Sequence, residues 1–297
     1  MAEKITIDPV TRIEGHAKIS IHMDKRGYVD DAQFHVTQFR GFEKLIEGRP
    51  FQEMPSITAR ICGICPVSHL ITGAKVGDDI MAVQIPKTAE KLRRIFHFGQ
   101  LIQSHALSFF HLSSPDLLLG MDTAVADRNY FGVLQEDPDF AKDGIRLRKF
   151  GQQIIEWLGG KRIHAAWTVP GGVNKSMSEE VRDKILAGIP EALEITQRQL
   201  VWFKQQMPEF REEIRSFANF PTKFMGMVNA KGELDHYDGF LRIVDSAGKV
   251  VEDMFDPKDY QDYIGEAVEP WTYLKFPYYK QDGYPDGIYR VGPLARL

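Results

Sequence analysis

The chain has 297 residues, 43% hydrophobic and 26% charged, with a formal net charge of −4. That balance gives no electrostatic reason to bind nucleic acid or an anionic membrane surface, and no run approaches the roughly 18 consecutive apolar residues that a spanning helix needs. Two cysteines in the whole chain are too few for a disulfide framework, which fits a reducing compartment and a soluble chain.

Short β-branched and apolar runs over residues 4–8 and 16–23 predict strands, with Ile19 and Ile21 alternating with polar neighbours. Val29, Ala32, Phe34 and Val36 carry the pattern on after a turn at Lys25-Arg26-Gly27. A small antiparallel sheet is therefore expected over 4–38, with Glu14 in its first connection and Glu43 just after its last strand. The N-terminus leads straight into this sheet, so no signal peptide is expected.

From about residue 51 the period changes. Val67, Leu70, Ile71, Ala74 and Ile80 predict a helix over 66–83, with Pro66 suited to its first turn. Leu92, Ile95, Phe96, Gly99, Ile102, Ala106 and Phe109 place one apolar face on a long helix over 87–112, read as a bundle-core helix. Another helix is expected over 137–159, ended by Gly159-Gly160, and then a loop at Pro170-Gly171-Gly172. Residues 178–217 read as two or three helices, with Gly188 a stop and Pro190 and Pro208 new starts. The Gly-, Tyr-, Pro- and Asp-rich remainder, 221–297, reads as irregular with a hairpin near 241–251 turning at Ser246-Ala247-Gly248. The expected fold is α+β and mainly helical: a long-helix bundle over 51–217 with a small N-terminal sheet and an irregular C-terminal part. No linker or repeat divides it, so 1–297 is taken as a single domain.

The only two cysteines stand together in Arg60-Ile61-Cys62-Gly63-Ile64-Cys65-Pro66-Val67-Ser68-His69. Two thiols at that spacing can face one centre across a tight turn. The predicted helix puts them at its head, where the positive end of the dipole favours thiolate. By itself the pair fits a dithiol redox couple, half of a zinc site, half of a transition-metal site, or two buried cysteines acting as small apolar residues.

Three motifs in order extend the signal: Asp8-Pro9-Val10-Thr11-Arg12-Ile13-Glu14-Gly15-His16, then Arg40-Gly41-Phe42-Glu43, then the cysteine segment. Together with Ser104-His105-Ala106-Leu107-Ser108-Phe109-Phe110-His111-Leu112, this resembles the N-terminal part of nickel-iron hydrogenase large subunits. The similarity is greatest to the cytoplasmic, bidirectional NAD-reducing branch and runs from residue 4 to the end.

The resemblance implies that Cys62 is a terminal nickel ligand and that Cys65 bridges nickel to an iron carrying carbon monoxide and cyanide. It implies that His69 is a donor to the bridging sulfur, that Glu14 receives a proton from a nickel-bound cysteine, and that Glu43 binds magnesium. Burial of Glu14 would suit that proton carrier. The implied activity is heterolytic cleavage and formation of dihydrogen, coupled to NAD through partners. Those partners are a small subunit with iron–sulfur clusters and a flavin-containing diaphorase carrying FMN. No G-x-G-x-x-G loop occurs here, so NAD is expected to bind on a partner.

His16, His105, His111 and His164 read as satisfied core histidines rather than ligands. The family also carries a second cysteine pair, D-P-C-x-x-C-x-x-H/R, near its C-terminus. This chain lacks one, so it is expected to be the N-terminal portion of a longer subunit. The principal alternative is a metal-free, quinone-lining structural subunit of a related respiratory complex, against which Cys62 and Cys65 argue. A thioredoxin-like dithiol protein would need a βαβ pattern around the pair, and none is predicted.

Overall fold

In the computed structural model, which describes residues 3–297, the first strands are β1 (Lys4–Ile7), β2 (Ala17–Met23) and β3 (Val29–Val36). They form an antiparallel sheet in that order. The expected alternation sets the register: Ile19 lies opposite Ile7 and Phe34, and Ile21 opposite Ile5 and Ala32. The predicted turn closes on Asp24, whose carboxylate accepts the Arg26 and Tyr28 N–H groups at 2.7 and 3.0 Å.

Helices follow: α1 (Phe42–Ile46), α2 (Met54–Thr58), α3 (Pro66–Ile80) and α4 (Lys87–Leu107). The long helix predicted to residue 112 widens after α4 into a π-helical turn, Ser108–Ser113, before α5 (Ser114–Leu119). After α6 (Tyr130–Glu136) comes α7 (Pro138–Gly159). Asp137 caps α7 by accepting the Asp139 and Phe140 N–H groups, and Gly160, with φ of 75°, ends it. The loop predicted at 170–172 is the turn of a tight hairpin, β4 (Thr168–Val169) with β5 (Gly172–Val173).

Helix α8 (Glu179–Gln206) corrects one expectation, because neither Gly188 nor Pro190 breaks it. Gly188 faces Phe150 of α7, where an added Cβ would lie 2.3 Å from the ring. It is therefore a point of close helix contact and not a stop. Pro190 stands on the exposed side, so the carbonyl it leaves without a donor is on the solvent face. Burial of Ile185, Ile195 and Gln199 holds the helix on both sides of that position. The break does fall at Pro208, in a 3-10 turn (Met207–Phe210) leading to α9 (Arg211–Ser216).

The C-terminal part holds more regular structure than its composition suggested. Strands β6 (Lys223–Val228), β7 (Phe240–Val244) and β8 (Val250–Phe255) precede α10 (Tyr260–Tyr263), β9 (Ile264–Val268), β10 (Lys275–Tyr279) and β11 (Tyr289–Arg290). One sheet has the order β11-β6-β7-β8, and β9 pairs with β10. These strands are short and flanked by turn residues, which masks their alternation. The expected hairpin is β7–β8, turned by Asp245, whose carboxylate accepts the Ala247 and Lys249 N–H groups, each at 2.9 Å.

Contacts gather into two compact units. One comprises the chain up to Arg40 with Glu212–Leu297, and the other Gly41–Arg211. No linker composition marks those boundaries. Within the first unit, His35 joins distant segments: its ring nitrogens bond the Trp271 carbonyl at 2.8 Å and the buried Ser20 hydroxyl at 3.0 Å. Within the second, α4 and α7 meet through glycines. A Cβ on Gly151 would lie 2.6 Å from both the Gly99 carbonyl and the Gln103 nitrogen. Among the described residues, no helix is long and apolar enough to cross a membrane.

Candidate metal centre

The cysteine segment is held between helices of the second unit. Gly73 of α3 packs on α2, where an added Cβ would meet Pro55 Cα at 2.9 Å. Thr58, ending α2, donates to the Met54 carbonyl at 2.7 Å and to the His69 carbonyl at 3.1 Å. A 3-10 turn, Ala59–Ile61, then delivers the chain into extended backbone at Cys62. Cys65 is the residue before α3, with Pro66 at its first position, so the pair does stand at the head of that helix.

Neither cysteine forms a disulfide, and both are half-buried. The Cys62 sulfur accepts the Ile64 N–H at 3.4 Å and the Cys65 N–H at 3.2 Å. Two backbone dipoles thus converge on one sulfur, an arrangement suited to a sulfur that carries negative charge. The Ile64 carbonyl is held in turn by two buried amides of α4: Gln100 and Gln103 donate to it at 2.9 and 2.7 Å.

An ion pair fixes α3 against α4. Arg93, wholly buried, donates to the Asp78 carboxylate at 2.6 and 3.3 Å and to the Gly172 and Val169 carbonyls at 3.0 and 2.7 Å. Asp78 also accepts the Gly171 N–H at 2.6 Å. The β4–β5 turn, α3 and α4 therefore share one polar knot.

His69 is half-buried one turn into α3, and burial holds its imidazole below the usual pKa. His164 adopts a left-handed backbone, φ of 53°, and sits against the Ala59–Arg60 segment. Burial, and then the Arg60 charge, lower its pKa. Expected as a satisfied core histidine, it is half-buried, and its Nδ1 has no hydrogen-bond partner among the described residues. His105 and His16 are exposed, against the expectation of core histidines; His105 bonds the Leu101 carbonyl of its own helix at 2.7 Å.

The structure thus brings Cys62, Cys65 and His69 onto one segment. Glu43 stands exposed in the first turn of α1. Glu14 belongs to the other unit, in the β1–β2 connection, and is exposed. The sequence reading missed Gln100, Gln103, Asp78 and Arg93. Polar residues recurring beside the apolar stripe of α4 were the available signal, since a buried amide or guanidinium needs partners.

Among the described residues, no three His, Cys, Asp or Glu side chains cluster to hold a metal ion. Two soft sulfurs, one of them accepting two backbone N–H groups, fit part of a nickel-iron ligand set and do not complete the four ligands of a structural zinc site. A cavity of about 490 Å3 lined by Asp143, Arg198, Gln199 and Trp202 contains none of these candidate ligands.

Residues 4–39 match the family described as HoxL-like, and residues 40–135 match the nickel-dependent hydrogenase family. Over 294 residues the chain is 44% identical to a subunit of the F420-non-reducing hydrogenase vhu of Methanocaldococcus jannaschii, covering 99% of this chain and 70% of that one. The chain belongs to the nickel-dependent hydrogenase family, as a large subunit. It is also 43% identical to the beta subunit of the NAD-reducing hydrogenase HoxS of Cupriavidus necator, covering all of this chain and 63% of that one. Its backbone matches the crystal structure of an NAD+-reducing [NiFe]-hydrogenase in the H2-reduced state with a TM-score of 0.96 and 45% identity. That match covers 99% of this chain and 65% of the other.

Proposed function

We propose that this chain belongs to the catalytic large subunit of an NAD-coupled nickel-iron hydrogenase. The observation that carries the reading is the Cys62–Cys65 pair at the head of α3, with backbone N–H groups aimed at the Cys62 sulfur. A nickel-iron centre, with carbon monoxide and cyanide on its iron, supplies the redox and Lewis-acid chemistry that splits dihydrogen heterolytically. Cys62 and Cys65 would supply two of the thiolates that hold it, Cys62 as a terminal ligand and Cys65 as a bridging one. His69, whose pKa burial holds below the usual value, would donate to the bridging sulfur. Glu14 takes up the proton leaving a cysteine sulfur, and Glu43 contributes a hard oxygen to magnesium.

Electrons leave through a small subunit with iron–sulfur clusters to an FMN-containing diaphorase, where NAD binds, in a cytoplasmic assembly. The two cysteines favour this over a metal-free, quinone-lining subunit. Because the M. jannaschii relative, named as F420-non-reducing, is as similar as the NAD-reducing one, the acceptor is tested separately.

The test is the assembled enzyme supplied with dihydrogen and, in parallel, a viologen dye or NAD. Reduction of both is expected; dye reduction alone would overturn the NAD assignment, and reduction of neither would overturn the activity. In the same assay Glu14→Gln keeps shape but cannot carry a proton. It should retain nickel while H/D exchange falls by roughly 10²-fold or more. Exchange at the wild-type rate would remove Glu14 from the proton route.

A further inference from the structure

The peptide group joining Ile64 to Cys65 faces two ways. Its carbonyl accepts Nε2–H groups from Gln100 and Gln103, at 2.9 and 2.7 Å, and its N–H donates to the Cys62 sulfur at 3.2 Å. A carbonyl only accepts, so the nitrogen end of each amide must face it. The glutamines lie three residues apart on α4, on one face, and are 2% and 4% exposed. Gln100 Oε1 is itself buried without a hydrogen-bond partner among the described residues. That amide is therefore placed for what its nitrogen donates. Donation to a peptide oxygen draws electron density from the peptide nitrogen and makes its N–H a stronger donor, by about 10–30% per bond in such chains.

We propose that Gln100 and Gln103 are positioning residues that tune the charge on the Cys62 sulfur through the Ile64–Cys65 peptide. Their amides donate to the Ile64 carbonyl rather than to a sulfur. Their two donors polarise one peptide, and that peptide delivers the effect to Cys62. The close approach of α7 at Gly151, where an added Cβ would meet the Gln103 nitrogen at 2.6 Å and its Cβ at 2.9 Å, keeps the Gln103 backbone in place. The inference rests on the reading of Cys62 as a metal ligand. Hydrogen bonds to a ligating sulfur draw off its charge and raise the reduction potential of the centre. Losing an amide donor therefore shifts that potential downward.

The experiment uses the assembled enzyme with Gln100→Met, Gln103→Met, both together, and Gln103→His. Methionine keeps the length without a donor, and a neutral imidazole restores one N–H. Nickel content, the midpoint potential of the centre and its vibrational spectrum are measured beside activity. Each methionine variant is expected to keep nickel and move to a more negative potential, the double variant further than either single one, with Gln103→His returning toward wild type. An unchanged potential and spectrum in the nickel-loaded double variant would overturn the proposal. Loss of nickel from Gln103→Met that Gln103→His does not restore would also overturn it, by assigning the residue to packing alone. Absence of nickel from the wild-type assembly would instead overturn the metal-ligand reading, and this inference with it.

Discussion

His111 sits in the π-helical turn after α4, stacked on Tyr130 with ring centroids 4.3 Å apart and planes at 11°. Burial, then the Arg148 guanidinium, hold its pKa below the ordinary value, and a backbone bond to Ala106 opposes them only in part. The folded state therefore binds this proton less readily than the unfolded chain, whose histidines titrate near about 6.5. The stability that neutral His111 contributes is present in full above that value and is lost as pH falls through its lower folded pKa. His69 and His164 are shifted the same way, chiefly by burial. Thermal midpoints should drop as pH falls below about 6.5, and His111→Phe, which keeps a stacking ring, should flatten part of that drop. An identical pH profile in the variant would show that His111 contributes none of it. At this scale the cysteine pair was legible because both residues lie in one short segment. Gln100 and Gln103 were not, because what makes them matter is a carbonyl some 36 to 39 positions away.

The elements whose limits are set by local chemistry were readable: Pro66 opening α3, Asp137 beginning α7, Gly160 ending it and Ser246-Ala247-Gly248 turning the β7–β8 hairpin. Where packing decides, local signals misled. Gly188 and Pro190 suggested a break in α8, yet contact with Phe150 and the buried face on each side keep the helix continuous. The stripe predicted for α4 was similarly incomplete, since its buried face includes Arg93, Gln100 and Gln103. Arg93 illustrates the energetic consequence. Removing one partner of a buried ion pair leaves the other charge uncompensated, at a cost of about 3–5 kcal/mol. Arg93→Leu should lower the thermal midpoint sharply, and adding Asp78→Leu should recover part of the loss. A single variant as stable as wild type would show that the α3–α4–hairpin knot does not hold the cysteine segment.

Over the whole molecule, contacts form two units whose segments interleave in sequence, the first drawing on both ends of the chain and the second on its middle. That arrangement is invisible to composition, because its boundaries lack the Gly- or Pro-rich tracts that mark linkers. The N-terminal sheet and the helical character of the middle followed from periodicity. Apart from the expected β7–β8 hairpin, the C-terminal strands did not, since strands of two to six residues carry too little alternation to separate from turns. The chain spans 63% of its NAD-reducing relative and contains two cysteines, half of the thiolates that the proposed centre requires. The proposed function is therefore tested on the assembled enzyme, and the test centres on the cysteine pair. The most direct test measures nickel and iron per assembled enzyme in wild type, Cys62→Ser and Cys65→Ser. Stoichiometric metal in wild type is expected, with nickel lost first from Cys62→Ser and no hydrogen uptake in Cys65→Ser. Normal metal content and activity in both variants would contradict the assignment of these thiols to the centre.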